Sequence, residues 1–120
     1  PPMNFCDVLF EDGALKGKGF EVPLADAEKD TLKAYYGKEL VLGVRPEDLE
    51  EGDSLSVQVT MNENLGMNTL VHGLMGEGVR ITAKLRGWKD YGPGDAAGLS
   101  CKRKHFFDKE TGNAIRKEAQ

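Results

Sequence analysis

The sequence predicts an all-β fold, a barrel or sandwich of short antiparallel strands carrying one short helix. Three observations predict it. Turn-forming residues are dense and evenly spread, with Gly 15 and Pro 5 in a chain of 120 residues. Between them lie short apolar runs, several alternating apolar with polar at the period of a half-buried strand. Only one segment has a helical composition.

In chain order, Phe5 to Phe10 and Gly19 to Val22 read as two short strands around a turn near Glu11-Asp12-Gly13. Ala25 to Tyr36 reads as the helix, with Ala27, Leu32 and Tyr35 or Tyr36 near one face. Gly37 comes next as its terminating residue, because glycine adopts the left-handed conformation that ends helices. Glu39 to Val44 reads as a largely buried strand, stopped at Arg45-Pro46 where proline lacks a ladder donor. Glu47-Asp48 and Glu50-Glu51 read as a solvated turn. Ser54 to Met61 alternates strictly, so Leu55, Val57, Val59 and Met61 are predicted to share one face. Thr69 to Leu74 and Val79 to Leu85 are further strands, joined by a hairpin turn at Gly76-Glu77-Gly78. Trp88 to Gly98 reads as a loop, His105 to Asp108 as a last short strand, and Lys109 to Gly112 as a turn. The tail Arg116 to Gln120 is polar and expected to fray.

Composition narrows the function. Hydrophobic residues are 39% and charged residues 30%, the balance of a folded globular chain. The formal net charge is −4, a poor basis for binding phosphate backbones, so no nucleic-acid partner is expected. Cys6 and Cys101 are too few for a disulfide framework and read as reduced, buried thiols. No apolar run approaches the roughly 20 residues that span a bilayer. The first residues show no basic segment followed by an apolar run, so no secretory signal is expected. Pro1-Pro2 precedes Met3, which predicts a piece of a longer protein.

The familiar catalytic motifs do not fit. Gly13 to Gly19 (GALKGKG) has the wrong spacing for a phosphate loop and no hydroxyl after Lys18. Gly17-Lys18-Gly19 lacks the third glycine of a dinucleotide fingerprint. Cys101 and His105 are four apart, but there is no second ligand pair at zinc spacing, so no metal is expected. Nothing marks either thiol as an activated nucleophile. Trp88, Tyr91, Phe106 and Phe107 could stack bases, yet packing in a core or an interface fits an acidic chain better. Lys102-Arg103-Lys104 reads as a solvated turn.

Five strings carry more information than composition. They are Pro2-Met3-Asn4-Phe5, Leu42 to Asp48 (LGVRPED), Asn64-Leu65-Gly66, Tyr91 to Asp95 (YGPGD) and His105 to Ile115 (HFFDKETGNAI). In this order they resemble the C-terminal regulatory region of ATP-binding subunits of ABC importers of the maltose and glycerol-phosphate type. The resemblance implies an OB-like barrel, a transport-associated OB (TOBE-like) domain over residues 1–120, without the preceding ATPase domain. It implies no cofactor and no enzymatic activity in this fragment, ATP and Mg belonging to the parent transport ATPase. Implied partners are a second copy of the subunit, its own ATPase domain, membrane permease subunits, and a regulatory protein or small molecule. The implied location is cytoplasmic, peripheral to the inner face of the membrane. Regulatory or interface residues are placed at Arg45, Glu47, Gly66, Trp88, Tyr91, His105, Phe107 and Asp108. Arg45 and Glu47 are expected to fix the turn around Pro46 by a charge-assisted bond. The segment before His105 is shorter than in the family, predicting a weak or distorted penultimate strand over Ala96 to Lys104. The rival reading is a small-ligand or oxyanion-binding β-domain using Lys16, Lys18 and Lys84.

Overall fold

The computed structural model describes residues 2–117. Pro1 and the last part of the predicted tail, 118–120, lie outside the described residues. Among the described residues, nine strands form two antiparallel sheets around one apolar core. The strands are β1 (Asn4–Glu11), β2 (Ala14–Lys16), β3 (Glu21–Pro23), β4 (Glu39–Val44), β5 (Leu49–Asn64), β6 (Asn68–Met75), β7 (Val79–Arg86), β8 (Ala96–Cys101) and β9 (His105–Phe107). The first sheet runs β3-β2-β1-β4-β9 and the second β7-β6-β5-β8. The all-β, barrel-like class is therefore what the chain adopts.

Local chemistry explains most elements. Asp12 (φ 52°) and Gly13 (φ 74°) make the tight turn between β1 and β2. The strand expected at Gly19 to Val22 is β3, and an unexpected strand, β2, folds against it with Leu15 opposite Val22. Gly76 (φ 55°) and Gly78 (φ 93°) flank Glu77 in the β6–β7 reversal, as the sequence predicts. On β4, Leu40, Leu42 and Val44 are all buried, and the strand stops at Arg45-Pro46.

The helix is shorter than expected. α1 (Asp26–Thr31) ends at Leu32, and residues Lys33–Tyr35 form a 3₁₀ turn. No residue within α1 is buried. The break drops Leu32, fully buried, into the core, and lets Tyr36 pack edge-on against Phe10 at 5.4 Å. Burial of one leucine thus outweighs continuation of an otherwise solvated helix.

β5 departs most from expectation. It runs for 16 residues, taking in Glu50 and Glu51, which read as a turn. Its pairing with β8 breaks between Glu51 and Leu55, both opposite Leu99. Gly52 makes this possible: a Cβ there would lie 2.1 Å from the Ser100 hydroxyl. A second bulge lies between Val59 and Met61, which oppose neighbouring residues Gly73 and His72. The extra residue inverts the facing of the strand beyond it. Leu55, Val57 and Val59 are buried as predicted, but Met61 is turned out to 49% exposure. The supposed loop Trp88 to Gly98 also ends in a strand, because Ala96–Cys101 pairs with β5, burying Ala97 and Leu99.

The two sheets meet beside β1 and β7 through one side chain. The Asn4 amide donates to the carbonyls of Val44 (3.0 Å) and Thr82 (2.9 Å). Its oxygen accepts from the Thr82 N–H at 2.9 Å. A strand would satisfy Thr82 in the same way.

Candidate partner-binding surfaces

The eight residues singled out in the sequence do not form one site. Arg45, His105 and Phe107 line a cleft of about 550 Å³ together with Lys104, Arg116 and Lys117. Glu47 lines a second cleft, of about 720 Å³, between the start of β5 and the end of β7. Gly66 and Trp88 lie at the tip of the β5–β6 hairpin and the loop after β7. Asp108 lines a third cleft with Tyr35 and Lys109.

The turn after β4 is held differently from the expectation. Arg45 and Glu47 are exposed, and neither forms an ion pair among the described residues. The Asp48 N–H donates to the Arg45 carbonyl at 2.9 Å, and Pro46 is fully buried. Backbone closure and proline burial hold the turn, leaving both charged side chains free. Beside them, His105 Nε2 and Asp48 Oδ2 stand 3.8 Å apart, beyond hydrogen-bond reach. Both atoms are buried without a hydrogen-bond partner among the described residues.

At the hairpin tip Gly66 has φ 84°, the left-handed conformation that favours glycine there. Around it Leu65, Met67 and Trp88 are 55%, 84% and 64% exposed. Thr69, fully buried, organises this end. Its hydroxyl donates to the Gly87 carbonyl (2.8 Å) and accepts from the Lys89 N–H (3.0 Å). In the orientation that satisfies its neighbours, the Asn64 amide donates to Thr69 Oγ1 and accepts from Trp88 Nε1 at 3.0 Å. The exposed indole is thus held in place from below. Sequence reading missed Thr69, whose only signal is a hydroxyl at an inward position of β6.

Tyr91 is half-buried and donates to Glu51 Oε2 at 3.0 Å, while Lys89 pairs with Glu51 Oε1. The Lys89 ammonium, then the Tyr91 hydroxyl, hold the Glu51 carboxyl below its ordinary range. Desolvation first, then the Glu51 bond, pushes the Tyr91 phenol up. Of the two places open to Phe106, core or interface, it takes the core, because its side of β9 faces inward. Phe107, on the opposite face, is half-buried and edge-on to Phe5 at 5.8 Å.

Asp108 is a turn-holder. Its Oδ1 accepts from the N–H groups of Glu110 and Thr111, each at 2.9 Å, and its Oδ2 from the Tyr35 hydroxyl at 2.7 Å. The Thr111 backbone bond, then the Tyr35 hydroxyl, hold its carboxyl below the ordinary aspartate range. A depressed folded-state pKa means that this stabilisation is present above the unfolded value and is lost as pH falls through the folded one. Melting temperature measured from pH 6 to pH 2 should therefore fall more steeply in the native chain than in Asp108→Asn. Parallel curves would show that Asp108 contributes nothing.

Both thiols are free. Burial, then the nearby Cys101 and Asp7, pushes Cys6 up to about 11, and burial raises Cys101 as well. Neither is poised as a nucleophile at neutral pH. Among the described residues no group of three or more His, Cys, Asp or Glu could hold a metal ion. No helix there is long and apolar enough to cross a membrane. Lys16 is tied to Glu11 and Asp12 on the β1–β2 hairpin, whereas Lys84 lines the second cleft, so these two do not form one anion site.

Free charges and exposed apolar groups thus stand on the surface of a two-sheet barrel. Residues 1–49 match the MalK OB fold domain family. Nearly the whole chain is also similar to larger proteins. The xylose/arabinose import ATP-binding protein XacK of Haloferax volcanii is 34% identical over 97% of this chain and 33% of its own length. The trehalose/maltose import ATP-binding protein MalK of Thermococcus litoralis is 33% identical, over 96% of this chain and 35% of its own. The multiple sugar-binding transport ATP-binding protein MsmK of Streptococcus mutans is 30% identical over 97% and 34%. The chain spans about a third of the length of these relatives.

Proposed function

We propose that the chain is the C-terminal accessory domain of the ATP-binding subunit of an ABC importer for sugars or related solutes. In this reading it helps hold two subunits together and receives regulatory contacts, while nucleotide chemistry belongs to an ATPase domain elsewhere in the same polypeptide. The reading places it in the cytoplasm, at the inner face of the membrane beside permease subunits. One observation carries it: likeness to sugar-import ATP-binding proteins runs through nearly all of this chain but only about a third of theirs. Free surface charges and the apolar hairpin tip suit contact rather than catalysis. A tethered contact adds effective concentration, so it need not be strong by itself.

The gene upstream of Pro1 tests the reading, which requires Walker and signature motifs in the same frame. Their absence overturns it. The 120-residue chain can be tested directly as well. Calorimetric titration with Mg-ATP should give no saturable heat, whereas micromolar binding would place nucleotide recognition here. Sedimentation velocity should show a monomer, or a dimer with Kd of roughly micromolar or weaker, about −8 kcal/mol or less favourable. A dimer persisting at nanomolar concentration contradicts a tether-dependent contact.

A further inference from the structure

β7 is the outer strand of its sheet and pairs with β6 along its whole length. In an antiparallel pair, residues that exchange backbone bonds with the neighbour alternate with residues whose N–H and C=O point away. Thr82 is of the second kind, because both its backbone groups bond the Asn4 side chain. Lys84 and Arg86, at the same parity, therefore also turn N–H and C=O outward. Asn4 seals the edge at Thr82. Further along, no hydrogen-bond partner meets the outward groups of Lys84 and Arg86 among the described residues.

This bare stretch borders the 720 Å³ cleft, whose far wall carries Glu47, Leu49 and Glu50. Lys89 in the cleft is paired with Glu51, but Lys84, Arg86 and Lys102 form no ion pair among the described residues. Cations on an open edge repel a second copy of the same edge, which would set Lys84 and Arg86 against their like. They attract an acidic strand instead. We propose that the free edge of β7 at Lys84–Arg86 takes an extended, acidic segment of a partner protein as an added strand. Backbone bonds to Lys84 and Arg86 hold the segment, and acidic residues two apart pair with their side chains on the outer face. Glu47 and Glu50 on the far wall penalise a uniformly acidic segment and so restrict the acids to alternate positions.

The test uses the 120-residue chain and the peptide acetyl-Thr-Glu-Val-Glu-Thr-amide, monitored by amide NMR and hydrogen exchange. Saturable shifts centred on Lys84 and Arg86, with slowed exchange of those two amides, are expected. A peptide of the same charge, N-methylated at its three central residues, should bind about tenfold or more weakly, since it cannot complete the ladder. The double change Lys84→Glu, Arg86→Glu should weaken binding of the unmodified peptide by at least a similar factor, with folding checked by the native NMR spectrum. Absence of saturable binding overturns the proposal. Equal binding of the N-methylated peptide, or the same shifts with citrate, also overturns it and leaves a simple anion site. These readouts concern the chain alone, so they stand or fall separately from the importer assignment.

Discussion

Val44→Asp is expected to lower the unfolding free energy by about 3 kcal/mol or more. Val44 is 4% exposed, on the inward face of β4, and its main chain lies opposite Asn4. A carboxylate there would leave water for an apolar core in which Val8, Leu42 and Leu49 are also buried. It must then ionise without a partner or take up a proton, and either course favours the unfolded chain. Lys117→Asp, on an exposed residue, should cost less than about 0.5 kcal/mol. Urea unfolding of both variants checks the contrast. Equal shifts would mean that Val44 does not face the core.

β4 could be located from sequence because its pattern is local: a run of apolar residues closed by a proline. The β6–β7 hairpin could be located for a similar reason, since alternation and glycines specify strand and turn together. β5 resisted because two of its determinants are long-range. Glu50 and Glu51 have weak strand propensity and enter the sheet only by pairing with β8. The bulge before Met61 leaves no mark in an alternation that runs unbroken from Leu55. β8 itself, Ala-Ala-Gly-Leu-Ser-Cys, has little apolar periodicity, and the partner strand supplies its order.

The candidate residues show the same division. Asp108 lies within one of the five strings because it holds the turn that those residues make, with Gly112 at φ 76° donating to the Asp108 carbonyl. That much is turn chemistry and is legible in the string. The wider grouping of sites is not. Arg45 meets His105 in a cleft only because β4 pairs with β9, with Leu42 opposite Phe106. Glu47 shares a cleft with Lys84 and Arg86 because the turn after β4 comes to rest beside an open strand edge. Spacing along the chain carries neither fact.

Asn4→Ala is expected to cost about 2–3 kcal/mol, a large effect for a single half-buried polar side chain. Three hydrogen bonds disappear, and the Thr82 N–H and C=O are left at a strand edge without their partner. The loss should be local as well as global: in hydrogen exchange, the Thr82 amide should lose protection before those of Ile81 and Ala83, which bond β6. Asn4→Asp separates the contributions. It keeps an acceptor for the Thr82 N–H but sets a carboxylate against the carbonyls of Val44 and Thr82. It should therefore be no more stable than Asn4→Ala at pH 7, and should recover as acid protonates it. An aspartate variant as stable as the native chain would show that donation to the two carbonyls is unimportant. The Thr82 N–H bond and apolar packing would then suffice to hold the sheets beside β7.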